Sequence, residues 1–291
     1  MYTSLLGWER RRYLWWALVL VVLSVGLYLS QSPDAPQPRN GGTWQGYVLG
    51  TVGALLIVWL SLLGVRKRRY RSAMGTVEGW TSAHVYLGLA LIVVATLHCA
   101  VQFGWNIHTL AYVLVCAVVL SGIFGLYAYL HIPRHMSTNR AGVSREGWLD
   151  QLVESEREIR ELSRRCDADV QGMVVSSVEM TGFAASLRDA LTARDRSRLV
   201  LPDGQTVSNR GQERLLAELS RRVPDARKQA EAEVLSDMLA LCGRRQVILA
   251  RLRRDTRLQL LLRCWLWLHI PLTMALLAAL SIHVLSVFIY W

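Results

Sequence analysis

Five stretches of the chain, at about 13–30, 46–65, 83–103, 108–131 and 261–290, are apolar for long enough to cross a bilayer. A helix needs roughly 20 such residues to span about 30 Å of hydrocarbon. Lipid offers the backbone no hydrogen-bond partners, so each run is predicted to be a helix. Composition agrees, with 52% hydrophobic residues, 19% charged and eleven Trp in 291. The first run exceeds a signal-peptide core, and SQSPDAP behind it offers no small-x-small cleavage site, so it is expected to remain as an anchor.

The net charge of +11 is concentrated beside these runs. Arg10, Arg11 and Arg12 precede the first, and Arg66, Lys67, Arg68, Arg69 and Arg71 follow the second; the 31–45 loop has only Arg39 and the 104–107 turn has none. The positive-inside rule then puts the N-terminus and the segment after the fourth span in the cytoplasm, and the C-terminal Trp291 outside. A bacterial inner (plasma) membrane is the expected location. Charge so placed serves topology and anionic lipid, so membrane lipid is an expected partner and nucleic acid is not. Trp44, Trp105 and Trp291 would mark one interface, and Trp15, Trp16, Trp80, Trp265 and Trp267 the other. The five Cys form no CxxC pair, which speaks against a disulfide framework or an iron–sulfur site.

The expected organisation is an anchor and outer loop (1–45), spans two to four (46–135), a polar and mainly helical cytoplasmic insertion (136–260) and a fifth span (261–291). Within the insertion Trp148, Leu152, Ser155, Ile159 and Leu162 lie near heptad spacing, as in a helical hairpin. VSSVEM and the RLVLPDGQTVS turn could pair as short strands, since Pro-Asp-Gly favours reversal. Val234, Met238, Leu241, Ile248 and Leu252 continue a helical pattern towards the fifth span, with Gly243 as an interruption. The insertion has no histidine and no phosphate-binding glycine motif, so it carries no catalytic signature of its own.

Function is signalled by a repeated stride. His84 and His98 are fourteen residues apart on the third span, and His269 and His283 repeat that step on the fifth. Fourteen helical residues rise about 21 Å and stop about 40° short of four turns, so both rings of a pair leave one face near opposite membrane surfaces. The third and fifth spans cross in the same direction, which matches His84 with His269 and His98 with His283. A histidine inside a span is costly unless paired or liganded. Each taken alone fits a hydrogen-bonded packing residue; two equal strides at matching depths fit two stacked ligand pairs, each able to hold a b-type haem iron. Zinc lacks a third or fourth ligand at either level. Gly50 and Gly64 on the second span, Ala111 and Gly125 on the fourth, and Gly88 beside His84 would give a macrocycle room.

The pattern resembles the dihaem transmembrane core of ferric reductases, NADPH oxidases and other membrane b-type cytochromes, cytochrome b among them, over roughly 44–131 and 261–291. The resemblance implies an all-α integral membrane protein of five transmembrane helices, with a four-helix dihaem bundle. It implies two haem b groups on His84, His98, His269 and His283 that relay single electrons across the bilayer. Redox partner subunits, and a quinone or outer-side acceptor, would complete the path. Ferric reductase-like or quinone-linked oxidoreductase activity is compatible with it. The chain departs from the family in lacking a following flavin and nicotinamide domain and a PEWY-like quinol motif, and in carrying the insertion. Arg66, Arg69, Arg134 and Arg263 could pair with haem propionates or serve topology alone. His108 reads as interfacial; His131 and His135, in HIPRH, could contact a quinone or relay protons, and surface snorkelling is the simpler reading. The competing reading is a haem-free assembly or signalling protein whose helical insertion recruits partners.

Overall fold

Apolar composition and helix length decide the architecture together. The computed structural model describes residues 11–31, 38–69, 75–182, 186–224, 226 and 229–289; Arg10, Arg71, Trp291 and most of SQSPDAP lie outside them. Helices α1 (Arg12–Leu29), α2 (Trp44–Ser61), α3 (Leu63–Arg68), α4 (Val77–Cys99) and α5 (Ile107–Arg140) come first. The polar region supplies α6 (Arg145–Ser163), α7 (Ala168–Glu179), α8 (Leu187–Thr192), strands β1 (Arg198–Val200) and β2 (Thr206–Ser208), and α9 (Glu213–Arg222). Helix α10 (Gln229–Ile289) completes the order. Five of these elements, with α2 and α3 counted as one, are long and apolar enough to cross a membrane, which marks an integral membrane protein. Neither Pro133 nor Pro271 ends its helix, and Gly243 does not interrupt α10.

Contacts divide the chain into two compact units, 1–127 with 265–291, and 128–264. In the first, α4 packs against both α1 and α2. Large apolar side chains such as Val22, Leu55, Leu120 and Leu285 are exposed there. Among water-soluble folds such surface would drive association, whereas on a spanning helix it is the face offered to lipid. The buried core of this unit joins Ile57 and Leu60 of α2, Leu91 of α4, Val115 of α5 and Leu276 of α10. Leu91 and Leu276 each fall seven residues after a histidine of the pairs, on the same helix face. Trp80 and Trp265 each have a partner within this unit. Trp80 stacks on Trp59 with ring centroids 4.8 Å apart, and the Trp265 indole donates to the Ser121 carbonyl at 2.9 Å.

The second unit is folded around Ile159, Met173, Val174, Leu199, Leu219 and Met238. VSSVEM is helix rather than strand. Val170, Met173, Val174 and Val178 recur with helical spacing and are all buried, and the Asp167 side chain caps the Val170 N–H. That period outweighs the β-branched composition. Both strands come from RLVLPDGQTVS instead, paired antiparallel with Leu199 opposite Val207. The heptad-like face of α6 is real over Leu152, Ser155 and Ile159, all buried; Leu152 packs against Ile248, Leu249 and Leu252 of α10.

Arg245 is buried to 2% exposure and donates to Glu156, Gln212 and Thr181. Arg245→Met is expected to destabilise the protein by about 3 kcal/mol, because it breaks the guanidinium's ion pair with Glu156 and removes a donor from Gln212 and Thr181. Arg245→Lys should recover little, since one ammonium cannot span the three acceptors; thermal unfolding of both variants checks this. Asp195 gives a second test. Burial alone would raise its carboxyl, but hydrogen bonds from Ser197 and the Gly211 N–H, with Arg253 beside them, hold it below the usual carboxylate range. A lowered folded value adds stability that is complete above the unfolded value, near 3.9, and is lost as pH falls through the folded one. Melting temperatures taken from about pH 6 to about pH 3 should therefore fall less steeply in Asp195→Asn than in the parent.

Candidate functional site

The first unit brings its histidines together in pairs. His84 of α4 faces His269 of α10 with ring centroids 6.4 Å apart, and His98 faces His283 at 6.2 Å. Their planes are inclined at 67° and 70°. Pairing 84 with 269 and 98 with 283 requires α4 and α10 to run in the same direction. A metal–imidazole bond is about 2.0–2.1 Å, so two rings sharing one metal in trans hold their centres roughly 6.3 Å apart. Both pairs stand at that spacing.

Hydrogen bonds fix which ring nitrogen faces inward. His84 Nδ1 lies 3.1 Å from the Leu60 carbonyl, and His98 Nδ1 lies 2.8 Å from the Gly46 carbonyl. A carbonyl can only accept, so in both rings Nδ1 carries the proton and Nε2 is left with its lone pair. His269 Nδ1 lies 2.7 Å from Ser121 Oγ, and that hydroxyl already donates to the Val118 carbonyl. Its one proton is committed, so it accepts from His269, and this ring has the same tautomer. Metal-ligating histidines are held in this way, one nitrogen donating to a backbone or side-chain oxygen while the other binds.

Glycines admit the rings unevenly. A Cβ on Gly50 would lie 2.6 Å from His98 Cε1, and one on Gly41 3.2 Å from the same atom. Only glycine at 50 lets the imidazole reach the first turn of α2. On α5, Gly122 rather than Gly125 faces His269, with a Cβ placed 3.7 Å from its Cε1. Gly125 instead accommodates the Trp265 indole. Gly88 lines a small apolar cavity of about 100 Å³, together with His84, His269, Val119, Gly122 and Thr273. A Cβ on Gly64 would meet no heavy atom within 4 Å, so Gly64 borders open space. Ala111 is half-buried on α5, one turn beyond His108.

His108 is the residue that sequence reasoning missed. Its ring lies 5.0 Å from His98 and 4.9 Å from His283, neighbours that the interfacial reading did not give it. At the start of α5 it has no periodic partner on its own helix, and only the tertiary packing reveals its neighbours. The fit of a haem therefore differs between levels. Beside His84 and His269 the spacing and the Nδ1 partners suit a bis-histidine metal, and the adjoining apolar cavity lies where a macrocycle would extend. At the other level the spacing also suits it. There, however, the His108 ring centre falls roughly 4 Å from the midpoint of the pair, within van der Waals contact of where ring atoms around a metal would lie. A macrocycle and this ring cannot share that space.

Residues expected to neutralise propionates have other positions. Arg66 is buried and donates to the carbonyls of Arg69 and Gly75, so it closes the loop ahead of α4. Arg69, Arg134 and Arg263 are exposed, as are His131 and His135. No family model matches the chain, and neither a curated protein nor a solved structure gives a match.

Nitrogen NMR of protein labelled at histidine tests the tautomer assignment. His84, His98 and His269 should read as Nδ1–H rings in metal-free protein, and Ser121→Ala should shift His269 alone towards the Nε2–H form. Three rings already in the Nε2–H form would contradict it.

Proposed function

We propose that the chain is a membrane-embedded b-type cytochrome that relays single electrons, with a haem b held between His84 and His269. The observation that carries this reading is the centroid separation of the two rings, 6.4 Å, which is that of two imidazoles sharing one metal. Each ring has its Nδ1 on an oxygen, which leaves Nε2 as the nitrogen available to a metal. When bound, haem supplies a one-electron couple whose potential depends on its ligands, its hydrogen bonds and its burial.

The chain's own residues set those terms. The Leu60 carbonyl and Ser121 Oγ hold the two rings, and by accepting their Nδ1 protons they make each Nε2 a stronger donor. Val119, Gly122 and Leu276 help keep the cavity apolar. A neutral ring pair in such a shell binds a macrocycle by ligation and by apolar contact together.

The two-haem arrangement expected from the stride needs His108 to leave the space between His98 and His283. We therefore assign the haem to the His84–His269 level alone. A redox subunit on the cytoplasmic side, and a quinone or outer-side acceptor, would be the electron partners, with orientation following the Arg and Lys flanks.

Reduced-minus-oxidised difference spectra of the purified full-length chain test this reading. A b-type spectrum is expected, abolished by His84→Ala or His269→Ala and shifted in midpoint potential by Ser121→Ala. A colourless preparation rejects it, and retention of partner proteins by that preparation would favour the haem-free assembly role.

A further inference from the structure

The two levels differ in what adjoins each imidazole pair. His84 and His269 border open apolar space, whereas His98 and His283 have a third ring against both. One ring nitrogen from each of His98, His108 and His283 lies within 4.8 Å of the other two. We propose that these three residues form a binding site for a single divalent transition-metal ion of the class that imidazole favours, copper or zinc.

The donor set suits that class. Three neutral nitrogens of intermediate softness, with no carboxylate or thiolate among them, select against magnesium and calcium and favour ions late in the first transition row. His98 is preset as a ligand, since the Gly46 carbonyl holds its Nδ1 proton and leaves Nε2 free. Its ring occupies space that a side chain at either of two positions would take, since a Cβ on Gly50 or Gly41 would lie 2.6 or 3.2 Å from Cε1. The three ligands come from α4, α5 and α10, so a bound ion ties together three helices that the sequence separates by up to 185 positions. Three protein ligands leave a fourth position for a small exogenous group. The site stands apart from the haem reading; only the contrast between levels rests on that reading.

The test uses tag-free, full-length protein in detergent, stripped with a chelator and titrated with Cu²⁺ under electron paramagnetic resonance. One Cu²⁺ per chain with nitrogen hyperfine coupling is expected, bound at least about tenfold more weakly in His108→Ala. His108→Gln keeps a polar side chain of similar size and should weaken binding equally, which separates ligation from folding. Haem content, measured in parallel as the pyridine complex, is expected to be one per chain and unaffected by Cu²⁺. Two haems per wild-type chain, one lost with His98→Ala and the other with His84→Ala, would overturn the proposal. So would a nitrogen-coupled Cu²⁺ signal unchanged in both His108 variants. A haem-free protein that binds Cu²⁺ through His108 would uphold this site and reject the haem reading.

Discussion

A neutral imidazole has one nitrogen that must give a hydrogen bond and one that must receive a positive partner, and a helix bundle in lipid supplies neither by default. The rest of the first unit is arranged around that requirement. The Leu60 carbonyl lies in the last turn of α2, where helical carbonyls lose their intrahelical donors, and it takes the His84 proton. The Gly46 carbonyl does the same for His98, which is why the loop before α2 and its first two turns are rich in glycine. Ser121 completes the set from α5, and its hydroxyl acts as acceptor only because Val118 has already claimed its proton.

Much of this was legible in the sequence, and the parts that were not share a physical cause. The histidine strides and Gly50 could be found because a regular helix maps spacing onto position, and α2 and α4 are regular where those residues sit. Gly64, on the same stride as Gly50, borders open space with no ring against it. Gly122 and Ser121 were passed over because their role depends on where α10 packs against α5, which no period within α5 encodes. His108 has the same origin, with contacts wholly from other helices. VSSVEM was misread for a different reason: its β-branched residues lie on a helical stripe, and burial of that stripe decided the outcome.

The second unit has a different chemistry. Its interior contains a guanidinium network in which Arg245 and Arg253 reach across to residues far away in sequence, Glu156 and Asp195 among them. Networks of this kind add little net stability over an apolar core, but a half-made network is costly, so they favour one arrangement over its near neighbours. This unit's two histidines, His131 and His135, are both exposed, and its interior contains none.

Leu91 of α4 and Leu276 of α10 stand midway between the two imidazole levels, each seven residues from both histidines of its own helix, and they pack with Ile57, Leu60 and Val115. The side chains of these five residues have no lone pair on which a proton could rest and no dipole to solvate an ion. The two imidazole pairs are thus set on either side of apolar side chains within one bundle.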